Sequence, residues 1–234
     1  MASDSRQAAP AVVLFDIDGT LIRRAGPHHR QALVEAVRTV TGLDTSTDHI
    51  PVQGMLDRDI LTRMMTDAGA TRRMITASMP AVVREAQRIY VRNCPSLETK
   101  VCPGSRELLQ QLLDRGIPVG LVTGNLTRIA WKKMQRARLR RFFRFGAFAE
   151  LGRSRGELVR IAVRYARRHG WISPQTLISL VGDHENDIRA AQANGIRSIA
   201  VATGLSPMAG LATASPDVLV PDLRMLPLTC LLEK

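Results

Sequence analysis

The chain has 234 residues, 45% of them hydrophobic and 23% charged, and a formal net charge of +12, which suits one large globular domain or one domain carrying an insertion. No apolar run approaches the length of a membrane span, and the first ten residues lack the apolar core of a signal peptide and read as a disordered lead. The three cysteines (Cys94, Cys102 and Cys230) have no metal-ligand spacing, and their odd number argues against a disulfide framework, so a cytoplasmic protein is expected.

Ala11 to Phe15 is a short unbroken apolar run, the pattern of a strand buried on both faces of a parallel sheet. It ends in Asp16 and Asp18, followed by Gly19-Thr20-Leu21. Side chains two apart on an extended chain point the same way, so both carboxylates converge on one volume off the carboxyl end of the strand. Their repulsion has to be offset by a cation or by a proton held on one of them. Mg²⁺ with a phosphate ligand supplies such an offset, because it takes oxygen ligands from few carboxylates plus phosphate and water.

From residue 23 to about 97 the period is helical. Ala32, Leu33, Ala36, Val37 and Val40 form one stripe, closed by Gly42. Leu56, Ile60, Leu61, Met64, Met65 and Ala68 form a second, and Met79, Val82, Val83, Ala86, Ile89 and Tyr90 a third. Pro80 is expected near the start of its helix, where the missing N–H is tolerated. This stretch reads as a small all-helical insertion.

Strands and helices then alternate. Ile117–Val122 is the second strand, followed by Thr123-Gly124-Asn125 and a basic helix; Phe145–Leu151 is a weaker third strand, followed by a helix over 156–169. Leu177–Val181 is the fourth and ends in Gly182-Asp183; Ser198–Ala202 is the fifth, and Val218–Val220 an edge strand. The alternation predicts an α/β fold, a Rossmann-like parallel sheet core with helices on both faces. Residues 11–22 and 98–234 make the core domain, and 23–97 the helical insertion. Several strands finish in small, hydroxyl or acidic residues, as a binding face at the strand carboxyl ends requires.

Residues 101–170 hold sixteen Lys/Arg against four Asp/Glu. Such a run attracts anions or nucleic acid, or is simply a solvated face. With 4% aromatic residues there is little for a single-strand stacking platform, so the solvated face is preferred and nucleic acid is not expected as a partner.

Phosphoryl transfer needs a nucleophile, a charge screen and donors for the phosphate oxygens. Asp16 suits the nucleophile, since a carboxylate forms an aspartyl-phosphate that water later hydrolyses. Asp18 suits the acid for the leaving alkoxide and then the base for that water. Thr123-Gly124-Asn125 follows a strand and opens a helix, a place that suits a phosphate cradle or a plain helix cap.

The stretch Asp16-Ile-Asp18-Gly19-Thr20 resembles the signature DxDGT of the haloacid dehalogenase superfamily, most of whose members are phosphatases. Thr123 falls where the superfamily carries its second motif, a Ser or Thr. Gly182-Asp183-His184-Glu185-Asn186-Asp187 resembles its acidic fourth motif. The resemblance implies Mg²⁺ held by Asp16, the backbone carbonyl of Asp18, and Asp183, with Asp187 binding metal or orienting its water shell; a helix-terminal charge is the plainer role for Asp187. His184 reads first as an exposed loop histidine. Relatives carry a Lys as third motif, but none lies between the third strand and Asp183. Arg155 is preferred in its place, because Glu157-Leu158-Val159 resembles phosphoglycolate-phosphatase-like relatives with Arg there; Arg153 is the alternative. Arg keeps the charge and adds a bidentate fork.

The helical insertion resembles the cap that closes over the site in this superfamily. Gly54-Met-Leu-Asp57 resembles the GxTD cap segment of phosphoglycolate phosphatases, with Leu56 in place of Thr. Met55, Leu56 and Arg58 are candidate substrate contacts. The resemblance implies a Mg²⁺-dependent phosphatase acting on a small phosphorylated metabolite, as a monomer or homodimer. The alternatives are a phosphosugar mutase of the same superfamily and a non-catalytic basic nucleic-acid-binding module.

Overall fold

A computed structural model describes residues 8–23 and 26–233. Six strands form one parallel sheet: β1 (Ala11–Phe15), β2 (Val119–Val122), β3 (Phe145–Ala147), β4 (Leu177–Gly182), β5 (Arg197–Val201) and β6 (Val218–Val220), in the order β3-β2-β1-β4-β5-β6. The first strand is thus central. Val13 faces Val119 of β2 on one side and Ser179 of β4 on the other, and every residue of β1 is buried, which explains its unbroken apolar run.

The sheet grows in both directions from β1. Right-handed crossovers therefore put α6 (Arg155–Arg168) and α7 (Glu185–Gln192) on one face, and α4 (Ser105–Asp114) and α5 (Thr127–Arg136) on the other. In agreement, α6 packs on β2 and β3, α7 on β4 and β5, and the two helices touch. Connections leaving β1 and its neighbours diverge at this reversal, opening a crevice at their carboxyl ends. Two short helices, α8 (Met208–Thr213) and α9 (Thr229–Leu232), complete the sheet side.

The helical stretch contains α1 (His28–Thr41), α2 (Asp57–Asp67) and α3 (Arg72–Asn93). α1 and α2 both pack on α3, which leans on α5. Gly42 ends α1 in the left-handed region at φ 74°, its N–H donating to the Arg38 carbonyl. The chain leaves and re-enters the sheet side by side: Ile22 bridges Val101, and the Arg23 N–H donates to the Lys100 carbonyl at 2.7 Å.

Four expectations need correcting. Pro80 lies well inside α3 rather than near its start. Thr76 and Ser78, just before it, turn their hydroxyls back onto the Arg72 and Met74 carbonyls, bonds that bend a helix, and packing on α1 and α2 carries α3 through the lost N–H. The third strand stops at Ala147, because Phe148 to Leu151 turn back on themselves with the Leu151 N–H on the Phe148 carbonyl. The helix after Asn125 begins only at Thr127, with Leu126 as its cap. Residues 1–7 of the expected lead lie outside the described residues, but Ala9 and Pro10 are bonded to the backbone of Trp171 and Leu177. Among the described residues no helix is long and apolar enough to cross a membrane, and all three cysteines are free.

Candidate active site

The loops after β1, β2 and β4 meet at one cavity of about 810 Å³, with Asp16, Asp18, Thr123, Arg155 and Asp183 in its wall. That volume suits a small molecule.

Asp16 directly follows β1, its N–H on the Val181 carbonyl at 2.9 Å. Asp183 follows β4 and accepts from the Thr20 hydroxyl at 2.9 Å. Asp187 stands in the first turn of α7, where its Oδ2 accepts the His184 N–H at 3.2 Å as half of a capping box. These three buried carboxylates have oxygens within 4.8 Å of one another. Asp187 Oδ2 thus takes the helix-terminal role, while its Oδ1 faces the cluster.

Arg155 opens α6 and is buried against them. Its Nη1 donates to Asp16 Oδ1 at 2.9 Å and lies 3.2 Å from Asp187 Oδ1. Arg153, the alternative, is exposed, and its backbone N–H is taken by Glu157. One guanidinium thus faces three carboxylates. Burial, with the nearby Asp16 and Asp187 charges, pushes the Asp183 carboxyl well above the ordinary value. Burial also lifts Asp187 to about 7, against the opposing pull of Arg155 and with Asp16 adding to the rise. Asp187 Oδ1 and Arg155 Nε are buried without a hydrogen bond. Excess negative charge, an orphaned carboxylate oxygen and an all-oxygen donor set fit a hard divalent cation such as Mg²⁺. Gly19 and Gly204 leave the space that the Asp183 carboxylate fills; a Cβ on either would overlap it.

A stability prediction follows from the sign of these shifts. A carboxyl whose folded value is raised stabilises the fold fully below its unfolded value, near 3.8, and loses that contribution as pH rises through about 7. In EDTA the protein is expected to melt higher at pH 6 than at pH 8, and Mg²⁺ is expected to raise the pH 8 value most. Identical melting at both pH values, with no response to Mg²⁺, would contradict the cluster as described.

Asp18 turns the other way. Its carboxylate leaves the acidic cluster and lies against Lys133 Nζ, at 2.7 and 2.6 Å to its two oxygens, and accepts from Asn125 Nδ2 at 2.7 Å. Burial alone would raise its carboxyl, but the Lys133 charge beside it and the bonds from Lys133 and Asn125 outweigh that and hold it below the ordinary value. The other amide proton of Asn125 goes to Thr123 Oγ1 at 2.8 Å, and its Oδ1 accepts from Lys133 at 2.6 Å. Both ends of that amide are occupied, so Asn125 braces Asp18 and Thr123 here and keeps no side-chain donor for a phosphate. Thr123 is buried, accepts from Asn125, and among the described residues donates its own proton to nothing. Gly124 lets the Met55 carbonyl come close; a Cβ there would meet it.

The segment before α2 is pinned to this floor. Asp57 N–H donates to the Gly124 carbonyl at 2.8 Å, Asp57 Oδ2 accepts the Leu126 N–H at 2.8 Å, and Asn186 Nδ2 donates to the Gly54 carbonyl at 3.0 Å. Of the candidate substrate contacts, Met55 lines the cavity, Leu56 is buried beneath it, and Arg58 faces a separate groove beside α3. His184 is not an exposed loop residue: it is half-buried, caps α7 through Nδ1, and packs on Gly54 at the cavity wall.

Two site residues, Lys133 and His29, fall outside every sequence motif, and a third, Asp57, ends the 54–57 cap motif with no role assigned to it. Lys133 reads as part of the basic face but is buried, and His29 and Asp57 complete its surroundings. A signal for each was present in the helical periods. Lys133 shares a stripe with Ile129, Ala130 and Met134, His29 with Ala32 and Leu33, and Asp57 with Ile60 and Leu61. A polar residue on a core-facing stripe points to a partner.

Known proteins resemble this chain in sequence and in fold. A phosphoglycolate phosphatase from Pseudomonas syringae is 26% identical over 232 residues, 95% of this chain and 80% of that protein. Solved structures share the fold: CbbY from Rhodobacter sphaeroides, in complex with xylulose-(1,5)bisphosphate, superposes with a TM-score of 0.69 at 18% identity over 94% of this chain and 98% of that one. A β-phosphoglucomutase from Clostridium difficile superposes with a TM-score of 0.67 at 18% identity over 94% and 93%. The family model for haloacid dehalogenase-like hydrolases matches residues 10–195, a span running from β1 past the acidic cluster to the end of α7, and the chain belongs to that family.

Proposed function

We propose that this protein is a Mg²⁺-dependent phosphatase that hydrolyses a small phosphomonoester metabolite through an aspartyl-phosphate on Asp16. The observation that carries the reading is Asp16 at the end of the central strand, inside a buried carboxylate cluster held by Arg155 and open to a cavity of about 810 Å³. Asp16, Asp183, Asp187 and the Asp18 carbonyl would hold the ion, which supplies charge neutralisation for the phosphoryl group when bound.

In the first half-reaction an Asp16 carboxylate oxygen bonds to phosphorus, the ester P–O bond breaks, and Asp18 gives its proton to the departing alkoxide. Asp18 rests ionised, so it must gain that proton with the substrate; the phosphate charge arriving beside it favours the protonated form. In the second half Asp18 takes a proton from water, the water oxygen bonds to phosphorus, and the bond to Asp16 breaks. Thr123 offers its unused hydroxyl to a phosphate oxygen, Gly124 gives backbone access, and Arg155 offers its unpaired Nε–H. Asn125 acts by bracing Asp18 and Thr123.

Residues 23–97 serve in this reading as the cap, with its 54–57 segment sealing the site. Arg23 and Arg30 line the cavity and favour an anionic substrate. Relatives named as phosphoglycolate phosphatases support hydrolysis over phosphosugar mutation. The test is phosphate release from alkyl and aryl phosphomonoesters in Mg²⁺ and in EDTA, with acid-quenched labelled substrate to trap phosphate on the protein. Turnover and trapped label that both require Mg²⁺ are expected. Turnover of equal rate in EDTA would refute the reading.

A further inference from the structure

Lys133 has 1% of its surface exposed on a side of α5 that an amphipathic helix ordinarily gives to aliphatic residues. An ammonium carries three protons and no acceptor. Three groups receive them: the Asp18 carboxylate, Asn125 Oδ1 at 2.6 Å and His29 Nδ1 at 3.2 Å. Because the ammonium can only donate, His29 Nδ1 is the acceptor, and the ring proton sits on Nε2. That proton goes to Asp57 Oδ2 at 3.0 Å, which also takes the Leu126 N–H. Tyr90 of α3 packs edge-on against the His29 ring, at 5.6 Å between centroids. A continuous chain results, Asp57–His29–Lys133–Asp18. Its first two members belong to the helical insertion and its last two to the sheet side.

We propose that Lys133, His29 and Asp57 are positioning residues that make docking of the helical insertion and placement of Asp18 a single event. With the insertion docked, His29 fixes the third proton of Lys133 and so fixes the head group on Asp18 and Asn125. With it withdrawn, Lys133 loses an acceptor and Asp18 loses its fixed place. The arrangement is costly as mere packing, because a buried ammonium demands full compensation that an aliphatic residue of similar volume would not. Docking alone has other bonds, at Gly54 and Gly124. The proposal rests on the hydrolase reading, in which Asp18 handles the proton.

The test compares kcat/KM for an alkyl phosphate, whose leaving group needs a proton, with that for an aryl phosphate of an acidic phenol, which needs it far less. Lys133→Met is expected to lower the alkyl value by roughly 100-fold and the aryl value by less than about tenfold. His29→Leu is expected to shift the ratio the same way, and His29→Gln, whose amide keeps one acceptor and one donor, to recover most of it. Equal losses on both esters, or Gln no better than Leu, would overturn the proposal. A substrate-free measurement separates it from the hydrolase reading: ¹⁵N spectra of wild type should show His29 protonated at Nε2 alone, with Nδ1 changing in Lys133→Met. A wild type without Mg²⁺-dependent turnover defeats the hydrolase reading and the proposal's catalytic half with it. A ring protonated at Nδ1 defeats the proposal even in an active enzyme.

Discussion

Asp16→Asn is expected to lower Mg²⁺-dependent turnover by at least about three orders of magnitude and to raise the melting temperature of the metal-free protein. The first effect follows because an amide oxygen is a poor nucleophile toward phosphorus. The second follows from charge. Asp16 adds to the upward push on both Asp183 and Asp187, while Asn keeps an oxygen that still accepts from Arg155 Nη1. Removing one of three crowded carboxylates relieves repulsion, and each kcal/mol so gained raises the melting temperature by roughly 2–4 °C in a domain of this size. Steady-state phosphate release and calorimetry in EDTA check the two halves separately. Retained turnover would show that another group attacks. A lower melting temperature would show that attraction to Arg155 outweighs the repulsion.

Arg155→Met should do the reverse to the fold while also silencing the enzyme. The guanidinium is the positive partner that the described residues bring to Asp16 and Asp187, and both carboxylates are buried. Leaving buried charges uncompensated costs about 3–5 kcal/mol, which corresponds to a fall of roughly 10 °C or more. Excess Mg²⁺ should recover part of that stability, because it neutralises the same carboxylates, but not turnover, because phosphate loses its guanidinium donor. Arg155→Lys should lie between wild type and Met, since an ammonium keeps the charge that Nη1 brings to Asp16 and Asp187 but lacks the guanidinium's further N–H donors for phosphate. Undiminished stability of the Met variant in EDTA would mean that the carboxylates hold protons instead of charge at neutral pH.

The two variants bear on how much of this molecule can be read before any coordinates exist. The parallel sheet was legible because β1, β2 and β4 are buried on both faces and carry near-continuous apolar runs, and because Asp16, Thr123 and Asp183 punctuate their ends. Arg155 was legible only through its neighbours Glu157-Leu158-Val159; charge composition alone could not tell it from the exposed Arg153. Lys133 was hidden for the same reason, since it lies in a run of basic residues that mostly do face solvent. Its stripe partners Ile129 and Met134 held the contrary signal. The Asn125 bracing and the packing of His184 on Gly54 were not legible, because both depend on contacts between segments far apart in the chain. Pro80 failed in a third way. Local propensity placed it at a helix start, and packing of α3 against α1 and α2 overrode it.

The central place of β1 also shapes how the chain is made. Its five apolar residues are synthesised before those of its flanking strands, which begin only at Val119 and Leu177. At about 5–20 residues per second, a ribosome needs on the order of ten seconds to deliver both flanking strands. Throughout that interval Ala-Val-Val-Leu-Phe is a short β-prone, uncharged segment of the kind that aggregates when left uncovered. Asp16 and Asp18, immediately downstream, then stand where gatekeepers of the nascent strand belong: the charge that crowds the acidic cluster of the finished fold and the one that later pairs with Lys133 both discourage the first strand from pairing with another chain's copy before its own neighbours arrive.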